Sequence, residues 1–401
     1  MYRGIEMHNN NNNSSRSRSI SIPNFFYITD NAMEKVDAIL SKEDIQLDRS
    51  LIVSGTGYTC KVADYIAERI SCSTTNSSSR VCIKANDINA IRSIGEAIVR
   101  SDASVVIAVG GGKVLDTTKY ACSNLNRPMV AFPTALSNDG ISSPIAVVRL
   151  DEIESVGAKP PLGIVIDIDV VKHSPRHTIL AGVGDLISNL SAVEDWRLAH
   201  EHKGDEIDRF AEIISRNAAE RFMYYVLKNG KSVMGYDGEE GKKKEEEYKH
   251  YSSHDDSNSS SSNTIIHDDK FLVCLAEGLI QSGIAMSIAG TSRPASGAEH
   301  LISHALDRIL DQPKPHGIQV GFATLFTMAL RGSEIQDILR VYRILGFPTT
   351  FDAIGISLEQ FMEAVRLAPY TRKNRFTILD MISRDDVTSI IKAIRLAYNT
   401  K

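Results

Sequence analysis

His300 and His304 stand four residues apart in the run SGAEHLISHALD at 296–307. On a helix this spacing puts both imidazoles on one face, one turn apart. Such a pair can hold one metal ion together, divide the work between metal and substrate, or cap a polar stripe. Two further segments supply groups of matching chemistry. LAGVGDLISNLSAVEDW at 180–196 carries Asp185 after Gly-Val-Gly, at an expected helix start where an aspartate is also a plain N-cap. KPHGIQVGFAT at 314–324 carries His316 just before Gly317 and a long helix. Each alone reads as a capping or packed residue. Together, one carboxylate and two histidines from three segments form a divalent-metal site of the Asp-His-His kind. Three protein ligands leave a position open for a substrate oxygen, as a catalytic Lewis acid needs.

The five cysteines (Cys60, Cys72, Cys82, Cys122, Cys274) are scattered and show no CxxC spacing. That argues against a disulfide framework and a thiolate zinc site, and leaves nitrogen and oxygen ligands for any metal.

Two segments of the first half suit a nucleotide. In VVIAVGGGKVLDTTKY the glycines 110–112 follow a β-branched run and precede a helix. Glycines there let backbone N–H groups approach a phosphate, and the helix N-terminus adds partial positive charge. A dinucleotide pyrophosphate fits, although the spaced G-x-G-x-x-G pattern is absent and a tight strand-to-helix turn explains the same residues. LIVSGTGYTCK at 51–61 is a second glycine turn after a strand. AFPTALSNDGISSPIAVV at 131–148 concentrates Thr134, Ser137, Asn138, Asp139, Ser142 and Ser143 beyond another strand. Loops at the carboxyl ends of parallel strands bind ligands, and these hydroxyls suit a ribose, an amide and a polyol. Asn-Asp-Gly is also a strong turn signal in its own right.

These elements need a scaffold. At 401 residues, with 42% hydrophobic and 24% charged content, two domains of moderate size are the default. From about residue 50, short apolar runs alternate with helical segments through LGIVIDIDVV (162–171), which indicates βαβ units and a parallel sheet. After about 178 the periodicity is helical throughout. The expected architecture is an α/β N-terminal domain with a parallel sheet (23–178) and an all-α C-terminal domain (179–401). Residues 1–22 read as a disordered Asn/Ser-rich tail, and 235–270 as a disordered charged insertion whose His250, His254 and His267 lack fixed geometry.

A net charge of -5 without a basic block gives no nucleic-acid footprint. No uninterrupted apolar run approaches the roughly 20 residues of a membrane span. Without the apolar core of a secretory signal, the chain is expected in the cytoplasm.

GGGKVLDTTK, FPTALSNDGISSP, GDLISNLSAVEDW, SRPASGAEHLISHALD and KPHGIQVG occur in that order. This set resembles the archaeal sn-glycerol-1-phosphate dehydrogenases, within the superfamily of metal-dependent polyol dehydrogenases, iron-type alcohol dehydrogenases and dehydroquinate synthase. The resemblance runs from about residue 24 to the end, apart from the insertion. It implies a Rossmann-like N-terminal domain, an active site in the cleft between the two domains, NAD(H) or NADP(H), and one divalent ion of the Zn2+ type. It also implies reduction of dihydroxyacetone phosphate to sn-glycerol 1-phosphate for the ether-lipid backbone of archaeal phospholipids. By motif position, Gly110, Gly111, Gly112, Lys113, Val114, Leu115 and Asp116, then Thr134, Ala135, Leu136, Ser137 and Ser143, would line the dinucleotide. Asp185, His300 and His316 would hold the metal, while Asp139, Asp185 and His304 would act on the substrate. His304 is expected to relay a proton, since an ordinary imidazole pKa of about 6.5 suits that task. Arg293 and Lys314 are candidates for the substrate phosphate, and Lys84 with Asp87 suggests use of both nicotinamide cofactors. The helices are expected to pack into a homo-oligomer. The alternatives are a polyol dehydrogenase without phosphate specificity, a dehydroquinate synthase-like lyase, and a nucleotide-binding regulator with a dead metal site.

Overall fold

Short β-branched runs become six parallel strands in the computed structural model, which describes residues 19–73, 78–230, 265–382 and 387–398. The strands are β1 (Phe25–Thr29), β2 (Ser50–Ser54), β3 (Ser79–Cys82), β4 (Val105–Gly110), β5 (Met129–Pro133) and β8 (Gly163–Asp167), in the order β1-β8-β5-β4-β2-β3. A hairpin of β6 (Ile145–Arg149) and β7 (Ile153–Gly157) lies outside this sheet. The helices between the strands are α1 (Val36–Lys42), α2 (Tyr58–Ser73), α3 (Ile88–Arg100) and α4 (Gly112–Asn124).

Residues of alternate parity serve opposite faces, as the two-residue strand period requires. Leu51, Val53, Val106 and Ala108 pack with Ile94 and Ile98 of α3 and Leu115 of α4. Ile52, Val105, Ile107 and Val109 pack with Leu40 of α1 and Ile66 of α2. A sheet buried on both faces explains why its strands read as continuous apolar runs rather than alternating ones. The chain leaves β2 toward β3 but leaves β4 toward β5, so strand order reverses between β2 and β4. In parallel sheets that reversal opens a crevice at the carboxyl ends, where ligands bind. Both glycine turns, after Ser54 and at Gly110, stand on this crevice.

The second half is helical: α5 (Ile168–Lys172), α6 (Arg176–Ile187), α7 (Asn189–Lys203), α8 (Arg209–Asn229), α9 (Asp269–Ala289), α10 (Ala298–Ile309), α11 (His316–Leu330), α12 (Gln336–Leu345), α13 (Phe351–Ile354), α14 (Leu358–Thr371) and α15 (Val387–Tyr398). By length and composition α9 could cross a membrane, yet it is a core helix packed on α8 and α6, with Leu272, Leu275 and Leu279 fully buried.

Three local expectations are corrected. The strand read over 162–171 stops at Asp167, whose carboxylate accepts from the N–H groups of Asp169 and Val170 and starts α5. Asp185 does not cap a helix: α6 begins at Arg176, and Asp185 sits in its last turn. The insertion ends earlier than residue 270. Ile265 and Ile266 are buried in a 3-10 turn, and Asp268 caps α9 by accepting from Phe271 N. Most of the expected tail and insertion, including His250 and His254, lies outside the described residues.

Candidate active site

Helices meet at the site because glycines let their backbones touch. A methyl group on Gly182 would lie 2.1 Å from the carbonyl oxygen of Leu136, in the loop after β5. On Gly184 it would lie 2.1 Å from the Gly317 carbonyl, and on Gly317 1.9 Å from the Ala181 carbonyl. On Gly283 of α9 it would strike Ser142 Oγ at 2.1 Å. Thus α6 approaches both α11 and the 134–143 loop far more closely than any side chain permits. The residues that follow, Asp185 beside Gly184 and Asp139 in the loop, are thereby drawn together.

Asp185, His300 and His316 each present a ligand atom, and these atoms all lie within 4.8 Å of one another. Asp185 Oδ1 is 3.7 Å from His300 Nε2. Its other oxygen accepts from the N–H of Asp139 at 2.9 Å, which fixes the carboxylate and leaves Oδ1 turned to the histidines. Each imidazole is held through Nδ1: His300 against Glu299 Oε1 at 3.0 Å, and His316 against Ser303 Oγ at 3.1 Å. Partners on Nδ1 set the tautomer and free Nε2 for a metal. Gln319 buttresses this arrangement, donating to Asp307 Oδ1 at 2.7 Å and to Ser303.

These residues fit a divalent ion. Zinc with bonds of about 2.0–2.2 Å separates neighbouring tetrahedral ligands by roughly 3.3–3.6 Å, close to the 3.7 Å between Asp185 and His300. The electrostatics agree. Burial, and then the neighbouring Asp139 carboxylate, raise the pKa of Asp185 well above the usual range. Burial lowers His300 to about 3, helped by Arg375 and Arg372, and lowers His316 to about 4. A buried carboxylate short of countercharge beside two neutral imidazoles is a donor set for a cation.

His304 stands one turn beyond His300, stacked on His316 at 5.8 Å between ring centroids, and makes no side-chain hydrogen bond to another described residue. Burial and the neighbouring His316, His300, Arg372 and Arg308 hold its pKa well below the ordinary imidazole value. The expectation of a proton relay at an unperturbed pKa does not apply to it. Asp139 Oδ2 accepts from Ser282 Oγ at 2.8 Å, and burial pushes its carboxyl up to about 6 despite that bond and nearby Lys119.

The glycine loop forms as expected. Val114 and Leu115 N–H close on the Gly111 carbonyl, leaving the first two amides of α4 for a ligand. Asn138, one of the polar residues of the 131–148 run, joins the two loops: a methyl on Gly112 would meet its Nδ2 at 3.0 Å. Gly111, Gly112, Lys113, Ala135 and Ser137 are accessible around this turn, while Gly110, Val114, Leu115, Thr134 and Leu136 are buried behind it. Asp116 and Ser143 face inward. Asp116 takes the Lys119 ammonium at 3.1 Å and Val147 N–H at 3.1 Å, and Ser143 donates to the Ile145 carbonyl at 3.3 Å. Lys119, fully buried, also donates to the carbonyls of Gly140 and Ile145, each at 2.7 Å, and so locks the 139–145 loop onto α4.

Arg293 is not free for a phosphate, being engaged by Asp205 and the Phe376 carbonyl. Lys314 is exposed, as is Lys84, and Asp87 Oδ1 caps α3 by accepting from Ala90 N at 2.9 Å.

Residues 27–175 match the family model for iron-containing alcohol dehydrogenases. Among relatives, the glycerol-1-phosphate dehydrogenase [NAD(P)+] of Pyrococcus furiosus is 37% identical over 310 residues, 77% of this chain and 78% of that one. The enzyme of that name from Methanoculleus marisnigri is 31% identical over 378 residues, 94% of each chain. Among solved structures, the glycerol dehydrogenase of Schizosaccharomyces pombe superposes with a TM-score of 0.67 at 18% identity, covering 96% of this chain and 91% of that one. A probable glycerol dehydrogenase from Sinorhizobium meliloti gives the same TM-score and identity over 94% and 97%. At such identity these structures speak for the fold, whereas the sequence relatives speak for the family. The chain belongs to the glycerol-1-phosphate dehydrogenases, NAD(P)-dependent oxidoreductases of the iron-containing alcohol dehydrogenase superfamily.

Proposed function

We propose that the protein reduces dihydroxyacetone phosphate to sn-glycerol 1-phosphate with NADH or NADPH, supplying the glycerol phosphate backbone of ether lipids in the cytoplasm. The observation that carries this reading is the convergence of Asp185, His300 and His316 within 4.8 Å, beside the Asp139 loop that Asn138 joins to the glycine turn. A divalent ion held there, which we take to be Zn2+, supplies Lewis-acid polarisation of the substrate carbonyl. The dinucleotide supplies the hydride.

The chain's own residues do the rest. The free amides of Gly112 and Lys113 at the start of α4 receive the pyrophosphate, and Ala135 and Ser137 flank it. Asp139, oriented by Ser282, is placed to accept a hydrogen bond from a substrate hydroxyl. His304, kept neutral by its surroundings and stacked on His316, is placed to accept a hydrogen bond from a substrate hydroxyl. Glu299 and Ser303 keep the two liganding rings in one orientation. We read residues 23–178 as the nucleotide domain and 179–401 as the helical domain, with the reaction in the cleft between them. We expect assembly into a homo-oligomer.

The test is oxidation of NADH and NADPH by zinc-loaded protein offered dihydroxyacetone phosphate or other polyol-derived ketones. Consumption of the substrate of dehydroquinate synthase is followed separately, because that reaction leaves the nucleotide unchanged overall. Consumption of that substrate with no oxidation of NADH or NADPH by any ketone would reassign the reaction to the lyase class.

A further inference from the structure

We propose that Arg372 and Arg375 form the subsite for the substrate's phosphate, a monoester dianion received beside His300 and His304. This rests on the reading above and deepens it.

The two guanidiniums flank one short segment, TRKNR at 371–375, that follows α14. Thr371 Oγ1 donates to the Leu301 carbonyl of α10, which seats this segment on the helix that carries both histidines. Arg375 is 7% exposed. It donates to the Ser296 carbonyl at 2.9 Å and to Ser292 Oγ at 2.6 Å, and Arg372 donates to the same hydroxyl at 2.9 Å. Ser292 and Ser296 belong to the turn that leads directly into His300. One serine oxygen therefore gathers two cations at the edge of the metal site.

Their partners are all neutral. The other arginines sunk into this region meet carboxylates: Arg293 pairs with Asp205, and Arg331 with Asp195. No ion pair is formed by Arg372 or Arg375 among the described residues. A buried Arg375 beside a half-buried Arg372, with no carboxylate paired to either, is unfavourable unless a ligand completes them. Burial and then Arg293 lower the pKa of Arg372; burial, Arg372 and Arg293 lower that of Arg375, against the weaker pull of Glu299 and Asp195. Both also act on His300, and Arg372 acts on His304, so their charge reaches the reacting centre.

Planar forked donors suit a phosphate better than a single ammonium does. The cofactor's phosphates are accounted for at the start of α4, on the sheet side of the cleft. The anion still without a site is the one on the substrate, a few bonds from the carbonyl that meets the metal. Of the candidates named from the sequence, Arg293 is already neutralised by Asp205, and Lys314 is exposed.

The experiment compares kcat/KM for dihydroxyacetone phosphate with that for dihydroxyacetone, using zinc-loaded protein and NADH, and measures competitive inhibition by inorganic phosphate. In Arg372→Gln the preference for the phosphorylated substrate falls about 10- to 100-fold, the effect of losing one charge-assisted pair. Inhibition by inorganic phosphate weakens in step. Arg375→Lys does the same, and the partly exposed Arg372 keeps the test available if the buried site does not accept lysine. Lys314→Gln leaves the ratio unchanged. A merely structural arginine would depress both substrates alike. Variants that keep the parent's ratio within threefold overturn the subsite alone. A parent that does not prefer the phosphorylated substrate overturns the proposed function, and the subsite with it.

Discussion

Replacing Gly317 by alanine should empty the metal site without touching a ligand. In the structure the added methyl would stand 1.9 Å from the Ala181 carbonyl oxygen. Carbon and oxygen do not approach much inside their optimum of about 3.5 Å, so α6 and α11 must part by more than roughly 1 Å. Asp185 rides on α6 and His316 opens α11, so the separation falls directly on two ligands. Ligand distances tolerate deviations of only about 0.2 Å. Disturbing supporting residues alone costs about 10- to 100-fold in affinity, and a displaced ligand should cost at least the upper figure, about 2.7 kcal/mol. Overpacking adds about 1–3 kcal/mol of destabilisation. Zinc affinity would be measured by competition with a chromogenic chelator, with circular dichroism to establish folding. Gly184→Ala meets the Gly317 carbonyl from the other side and should behave alike. Folded variants that bind zinc within threefold of the parent would refute the idea that these glycines set the site.

Glu299→Gln removes the carboxylate that holds His300 Nδ1, and zinc affinity in the same titration should drop about 10- to 100-fold; an unchanged affinity would deny Glu299 that role. His304→Ala should depress turnover far more than zinc content, read by steady-state rate and metal analysis, and equal losses would contradict the division between the two histidines. Glu212 gives a pH signature: burial pushes its carboxyl up, but Arg209 and Arg197 outweigh this and hold it below the usual range. A depressed folded pKa means a contribution present above the unfolded value of about 4.3 and lost as pH falls through the folded one. The urea stability gap between parent and Glu212→Gln should therefore be open at neutral pH and close in acid, and a gap that persists in acid would contradict the pairing.

The sheet was legible because its strands are continuous apolar runs and its loops end in glycine, both local signals. Strand β1 was not, since it pairs only with the distant β8, and the hairpin β6–β7 was not, since its second strand, IESVG, is no apolar run. Asp185 illustrates a subtler limit. Gly-Val-Gly-Asp looks like a loop and a cap, yet the glycines serve helix contacts in space, Gly182 against the Leu136 loop and Gly184 against α11. The proposed ligands Asp185, His300 and His316 could be picked out by residue type. Their supports could not: Glu299 and Ser303 each adjoin a histidine but look like ordinary helix polar residues. Arg372 and Arg375 lie about 70 residues beyond His300, and only the seating of α14 on α10 brings them near. Asp116, in a motif associated with the dinucleotide, proved to hold the buried Lys119 instead.

The central claim is a reaction of stated handedness at a metal site. Zinc-loaded protein given sn-glycerol 1-phosphate and its 3-phosphate enantiomer, with NAD+ and with NADP+, tests it most directly. Oxidation of the 1-phosphate, with the 3-phosphate turned over at least a hundredfold less well, is the expected result. Equal rates, or preference for the 3-phosphate, would contradict it.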